Sequence, residues 1–149
     1  MSPTWQETAA AKVLARDACI PVSYLIPAAQ LPAASVTNVR GIAKSHLSAR
    51  EFELTEEDDV DVILAKLASS TWSSVELTAA YCKRATIAQQ LTNCLTEVFF
   101  DSAMKRAAEL DAILKSTGKT VGPLHGMVIS LKDQVSIKGM DNDVSDQDY

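Results

Sequence analysis

The chain has 149 residues, 47% of them hydrophobic, which is enough for one domain of ordinary size with its own core. Aromatic residues make up only 5%, so that core has to be aliphatic and alanine-rich, as in helices packed closely on one another or on a sheet. The net charge of −5 excludes a basic footprint, and with it nucleic acid or an anionic membrane surface as partner; a small neutral or basic ligand fits better.

Residues 3–20 carry Trp5, Ala9, Val13, Leu14 and Ala18 at helical spacing, with Ser2 before a proline as the start and Pro21 as the stop. Residues 21–36 hold Pro21, Pro27 and Pro32 with little periodicity and read as an extended connection packed down on the surface. A short helix is expected within 38–47, limited by Gly41 and Ser48, and residues 48–54 look extended. From Thr55 the signals sharpen. Thr55 can act as N-cap, Glu56, Glu57 and Asp58 suit the positive end of a helix dipole, and Val60, Ile63, Leu64 and Leu67 share one face until Ser69 and Ser70. Ser73 and Glu76 then form a capping box for a helix over 74–91, with Leu77, Ala80, Tyr81, Ala85, Ala88 and Leu91 on its apolar stripe.

Residues 94–100, Cys-Leu-Thr-Glu-Val-Phe-Phe, are short and rich in β-formers, and Asp101 can cap a following helix over 102–116 that buries Ala103, Ala107, Leu110 and Leu114 and stops before Gly118. Gly122, Pro123 and Gly126 mark a turn, and Met127 to Leu131 form a continuous apolar run of the kind found in a buried strand. The order of elements points to an α/β layered fold, with a parallel pair of strands around one crossover helix. Residues 139–149 change character, with four aspartates among the last nine positions and little apolar content, and read as a poorly packed or disordered end.

Three cysteines, Cys19, Cys82 and Cys94, form no C-x-x-C pair and stand far in sequence from His46 and His125, so neither a zinc site nor a redox pair is signalled. No apolar run approaches the roughly 18 residues of a membrane span, and the polar start does not resemble a signal peptide, which makes the cytosol the expected location.

Chemistry concentrates in residues 122–133, Gly-Pro-Leu-His-Gly-Met-Val-Ile-Ser-Leu-Lys-Asp, where Lys132 ends the apolar run. Burial disfavours a charged ammonium, so a lysine at the end of a buried strand can serve as a base. The same spacing fits a lysine that snorkels from a strand end to the surface, and pattern alone favours that second reading. Ser130, two residues earlier, would share its face in a strand, but a strand interior supplies no oxyanion donors, so a hydroxyl satisfying a neighbouring backbone group is the better reading. Ser136 and Ser145 sit in no nucleophile elbow. His125 is a catalytic imidazole or a turn residue, and without a carboxylate at motif spacing the turn is favoured. Asp58, Asp59 and Asp61 are explained by a helix start.

The stretch 122–134, followed by Ile137-Lys138-Gly139, closely resembles the lysine motif of the amidase signature family. Residues 81–94, from Tyr-Cys-Lys-Arg-Ala to Leu-Thr-Asn-Cys, resemble its fungal acetamidase branch. The likeness runs from about Trp5 to Asp141, with Val128 where the family usually has proline. It implies hydrolysis of small linear amides to carboxylate and ammonia by a Ser-Ser-Lys triad on an α/β/α sheet, without cofactor or metal. Lys132 matches the triad base, which would act, neutral, on a serine held in a cis peptide; that serine would relay the proton of the nucleophilic serine. Both serines belong to a Gly/Ser-rich region downstream of the lysine in the family, whereas the five glycines here, Gly41, Gly118, Gly122, Gly126 and Gly139, are scattered.

The resemblance therefore implies that residues 1–141 are the N-terminal, mainly helical part of an amidase domain with an incomplete sheet, and that 142–149 diverge from it. A chain of this content is expected to be catalytically incompetent alone. Its partner would be a small amide substrate in the complete family architecture. The alternative is a non-catalytic remnant that binds a partner or a full-length relative through an open sheet edge, or associates with itself.

Overall fold

The computed structural model describes residues 3–132, 135 and 137. Six α-helices and two short 3-10 turns are found among these residues: α1 (Trp5–Ala18), α2 (Ile42–His46), α3 (Ala49–Glu56), α4 (Val60–Ala68), α5 (Ser74–Thr92) and α6 (Phe100–Thr117), with the 3-10 turns at Val22–Tyr24 and Ala28–Gln30. α5 is the axis on which the rest is assembled, with α6 and α3 as its main neighbours and α2 and the first 3-10 turn also against it.

The core lies in two clusters on either end of that axis. Leu54, Ile63, Leu67, Trp72, Leu77 and Ala80 bring α3, α4 and the start of α5 together, with Tyr81, Met127 and Val128 packed against them. Ile26, Leu47 and Ile87 form the second cluster, under Ile42, Ala43, Phe52 and Leu91. The proline-rich connection is packed down, as its composition suggests. Ile26 is 3% exposed, and its backbone exchanges two hydrogen bonds with the Gln90 side-chain amide, at 2.7 and 3.2 Å. α1 differs from the expectation of a helix with a buried stripe. It buries no residue, Trp5 and Leu14 being 76% and 71% exposed, and Arg16 ties it to the fold by donating to the Leu95 carbonyl at 2.9 Å. Its N-cap is Thr4, in a complete capping box with Glu7, rather than Ser2.

Residues 48–54 are helical, not extended. Ser48 accepts the Glu51 N–H while Glu51 accepts the Ser48 N–H at 2.7 Å, and this capping box starts α3. α3 runs through Thr55, so Thr55 caps nothing. Its hydroxyl donates back to the Glu51 carbonyl at 2.8 Å, and the cap of α4 falls to Asp59, whose Oδ1 accepts the N–H groups of Asp61 and Val62. α4 does end at Ala68, before Ser69. At α5 only half of the expected box forms. Ser73 Oγ accepts the Glu76 N–H at 3.0 Å, but the Glu76 carboxylate turns to Arg50 of α3, at 2.8 and 2.9 Å.

Neither β-rich run forms a strand among the described residues, which are helical apart from turns and irregular connections. In 94–99 the backbone is engaged by side chains: the Leu95 N–H donates to Gln89 Oε1 at 2.7 Å and its carbonyl accepts from Arg16. Asp101 lies in the first turn of α6, whose N-cap is Phe99. α6 ends, as its sequence indicates, on Gly118, which takes a left-handed φ of 66°. The acidic tail at 142–149 lies outside the described residues, as do Ser136 and Ser145.

Candidate active site

Beyond α6 the chain turns back toward the first core cluster. The turn at 122–126 is closed by bonds from the His125 N–H to the Gly122 carbonyl at 3.3 Å and from the Met127 N–H to the Leu124 carbonyl at 3.1 Å. His125 is a turn residue, 4% exposed, and its Nδ1 accepts the Val121 N–H at 3.2 Å. Gly126 has φ of 75° and no space for a side chain, because a Cβ there would overlap Ser74 Oγ and stand 3.3 Å from Leu67 Cδ2. These two contacts seat the turn on the head of α5 and on α4.

From this anchor the apolar run emerges. Met127 and Val128 pack on the core, but Ile129 and Leu131 are 65% and 51% exposed, so the expectation of a buried strand through Leu131 is not met. Only the first two residues pack on the first core cluster, whereas Ile129 and Leu131 line an open groove. Ser130 and Lys132 are likewise exposed. Lys132 thus follows an apolar segment whose outer half is largely exposed among the described residues.

The emerging segment flanks a groove of about 430 Å³. Tyr81 and Cys82 of α5 line one side, Leu95, Val98, Phe99 and Phe100 the connection and start of α6, and Ser130 and Lys132 the open side. Its lining is mostly apolar, with the hydroxyls of Thr78, Tyr81, Thr96 and Ser130, the Glu97 carboxylate and the Lys132 ammonium as its polar groups. Burial pushes the Cys82 thiol up to about 11, so within this groove it is a neutral, inert side chain at neutral pH. All three cysteines are free. Among the described residues no three of His, Cys, Asp and Glu stand close enough to hold a metal ion.

Of the residues singled out from sequence, Ser130 and Lys132 share the groove, whereas His125 is buried in the turn behind it and Asp58, Asp59 and Asp61 lie at the start of α4. The aromatic pair Phe99 and Phe100, read as part of a strand, instead lines the groove at the start of α6. Two polar links between elements carried no local signal: the Asp111 carboxylate on the N-terminus of α5 and the Arg50–Glu76 pair between α3 and α5.

The profile of the Amidase family matches residues 76–145. A protein of Curvularia clavata that bears the name amidase kk1C is 48% identical over 144 residues, covering 95% of this chain and 27% of that protein. The acetamidase of Emericella nidulans is 42% identical over 139 residues, covering 93% of this chain and 25% of its own length. Among solved structures, a fatty acid amide hydrolase superposes with a TM-score of 0.72 at 34% identity, over 82% of this chain and 22% of the other. The chain thus spans about a quarter of the length of the relatives it matches. These likenesses cover the helical scaffold and the lysine segment together, and on them the chain belongs to the amidase signature family, in its fungal acetamidase-like branch.

Proposed function

We propose that this chain supplies the lysine-bearing part of an amide hydrolase, with Lys132 as the base of a Ser-Ser-Lys triad acting on small linear amides. The observation that carries this reading is the coincidence of the family's lysine motif with a lysine at the rim of a groove, on a segment anchored to the helical core at Gly126 to Val128. In the reaction the neutral Nζ of Lys132 accepts a proton from one serine hydroxyl. That serine takes the proton of a second, which attacks the amide carbonyl. The amine leaves as ammonia after protonation, and water releases the carboxylate from the acyl-enzyme.

No Gly/Ser-rich segment that would carry the two serines lies within these 149 residues, and neither do the oxyanion donors that accompany it. The catalytic unit is therefore assembled only where further chain provides them. That chain also completes an α/β/α sheet, in which the exposed Ile129 and Leu131 find their neighbours. No cofactor takes part, and the reaction runs in the cytoplasm.

The test has two arms. The 149-residue protein is assayed for ammonia release from acetamide and benzamide, and none is expected. Turnover that Lys132→Ala abolishes would refute its incompetence. In the second arm residues 1–132 replace their counterparts in a full-length fungal acetamidase. The chimera is expected to turn over acetamide, and Lys132→Ala to lower kcat by about a thousandfold or more. A folded, active chimera indifferent to Lys132→Ala would remove the lysine from the mechanism.

A second reading, association with a partner or a full-length relative, is favoured by the uncovered apolar residues Ile129 and Leu131 beside the groove. Sedimentation of the 149-residue protein as a stable folded monomer would contradict it.

A further inference from the structure

Two side-chain atoms among the described residues are buried with no hydrogen-bond partner, His125 Nε2 and Ser74 Oγ. Gly126 brings their residues together: His125 precedes it in the chain, and Ser74 Oγ lies against the place where its Cβ would stand. His125 is 4% exposed and Ser74 1%. A neutral imidazole that accepts at Nδ1, as His125 does from Val121, carries its proton on Nε2. A buried N–H without an acceptor and a buried hydroxyl without a partner, on residues that meet at Gly126, are unmet demands that one shared water can answer.

We propose that His125 is a positioning residue for Lys132. Its Nδ1 closes the 121–126 turn, and its Nε2–H is linked to Ser74 Oγ through one water, so that the turn is pinned to the head of α5. The inference rests on the reading of Lys132 as a base. After Val128, the last residue packed on the core, the chain runs four residues to Lys132, about 13 Å if extended. Over that distance Lys132 inherits its direction from the turn, because Ile129 to Leu131 are held by no core contact. A small rotation of an unpinned turn therefore displaces the ammonium by more than it displaces Val128.

The experiment uses the 149-residue chain and reads Lys132 directly. Imidazole ¹⁵N shifts report the His125 tautomer, amide exchange reports the Val121 N–H, and acetylation by an N-hydroxysuccinimide ester, mapped by peptide mass, gives the rate at Lys132 relative to Lys115, which is exposed on α6. The Nε2–H tautomer is expected. His125→Ala should speed Val121 exchange about tenfold and change the Lys132 to Lys115 ratio about threefold or more. His125→Asn, whose Oδ1 replaces Nδ1 as acceptor, should restore Val121 protection but not the ratio. Ser74→Ala should change the ratio and leave Val121 protected. Leu110→Ala, a core truncation on α6, lowers stability without touching the turn and should move neither local reading.

An Nδ1–H tautomer, or a Lys132 ratio unmoved by His125→Ala or moved equally by Leu110→Ala, would overturn the proposal. None of these readings uses amide turnover. A chimera indifferent to Lys132→Ala therefore overturns the base assignment alone, and failure here with an active, lysine-dependent chimera overturns the positioning alone.

Discussion

The Asp111 carboxylate of α6 accepts the backbone N–H of Ser74 at 2.7 Å through Oδ1 and that of Val75 at 3.0 Å through Oδ2. Two of the unsatisfied donors at the head of α5 are thus capped from another helix, 36 and 37 residues away in sequence, where the helix dipole favours a negative charge. This fixes α6 against the α5 terminus on which the 122–126 turn also sits. Asp111→Ala leaves those donors facing a part-buried gap and should destabilise the chain by about 1–3 kcal/mol in urea unfolding. Asp111→Asn, which keeps one acceptor, should lose less. Equal losses in the two variants would mean that the carboxylate's second oxygen and charge contribute nothing.

Two carboxylates make the fold acid-sensitive. Hydrogen bonds from Arg50 hold the Glu76 carboxyl below its ordinary value of 4.5, against a smaller upward push from burial. At Glu51 burial pushes upward most strongly, but hydrogen bonds from Lys83 and from the Ser48 backbone and side chain together outweigh it and lower the carboxyl. A folded-state value below the unfolded one means that the unfolded chain binds more protons as the solution is acidified. The stabilisation is therefore complete above 4.5 and is lost as pH falls through the depressed folded values. Urea midpoints should hold their level from pH 7 to 5, as far as these groups decide it, and decline below 4.5. Glu76→Gln should lower the midpoint at pH 7 and flatten the acid decline. An unchanged decline in that variant would show that the Arg50 pair does not contribute to it.

The helices from α4 onward were legible because their signals are local. An N-cap serine at 73, an apolar stripe through Leu77 and Ala80, and a stop at Gly118 each depend on neighbours within a turn. α3 was not legible: residues 48–54 looked extended despite the Ser48–Glu51 box that starts the helix, and the run of acids after Thr55 drew the helix start to the wrong residue. The two β-rich runs read as strands because Val, Phe and Ile suit a pleated surface, and that preference has no bearing on whether a neighbour is at hand. Lys132 stood out by its motif alone, as an exposed lysine after an exposed leucine. The seating of the turn, by Gly126 on Ser74, joins positions 52 residues apart and left no trace in local pattern.

The cysteines should separate cleanly by reactivity. Cys82 is 5% exposed and its thiol is pushed up to about 11 by burial, whereas Cys19 and Cys94 are exposed. The thiolate is the nucleophile, and each unit of upward shift lowers its population about tenfold. Iodoacetamide at pH 7.5 should label Cys19 and Cys94 while labelling Cys82 at least about a hundredfold more slowly, the block being released in urea. Peptide mapping of the labelled protein checks this. Comparable rates at all three would mean that the groove between α5 and α6 opens readily to solvent.

Gly126 gives the sharpest steric prediction. Its φ of 75° costs an alanine roughly 1 kcal/mol or more, and the added Cβ would overlap Ser74 Oγ while standing 3.1 Å from Ser74 Cβ. Ser74 cannot withdraw, because its backbone N–H is held by Asp111 and its side chain is 1% exposed in the core. Gly126→Ala should therefore destabilise the chain by about 2–4 kcal/mol, the sum of a backbone and an overpacking penalty. Removing the obstacle separates the two. In a Ser74→Gly background, where both the Oγ and the Cβ are gone, Gly126→Ala should cost only the backbone part, so the double-mutant cycle should show a coupling of about 1–2 kcal/mol. Additive losses in that cycle would mean that the turn does not seat on Ser74, and the account of how the Lys132 segment is anchored to the head of α5 would fail with it.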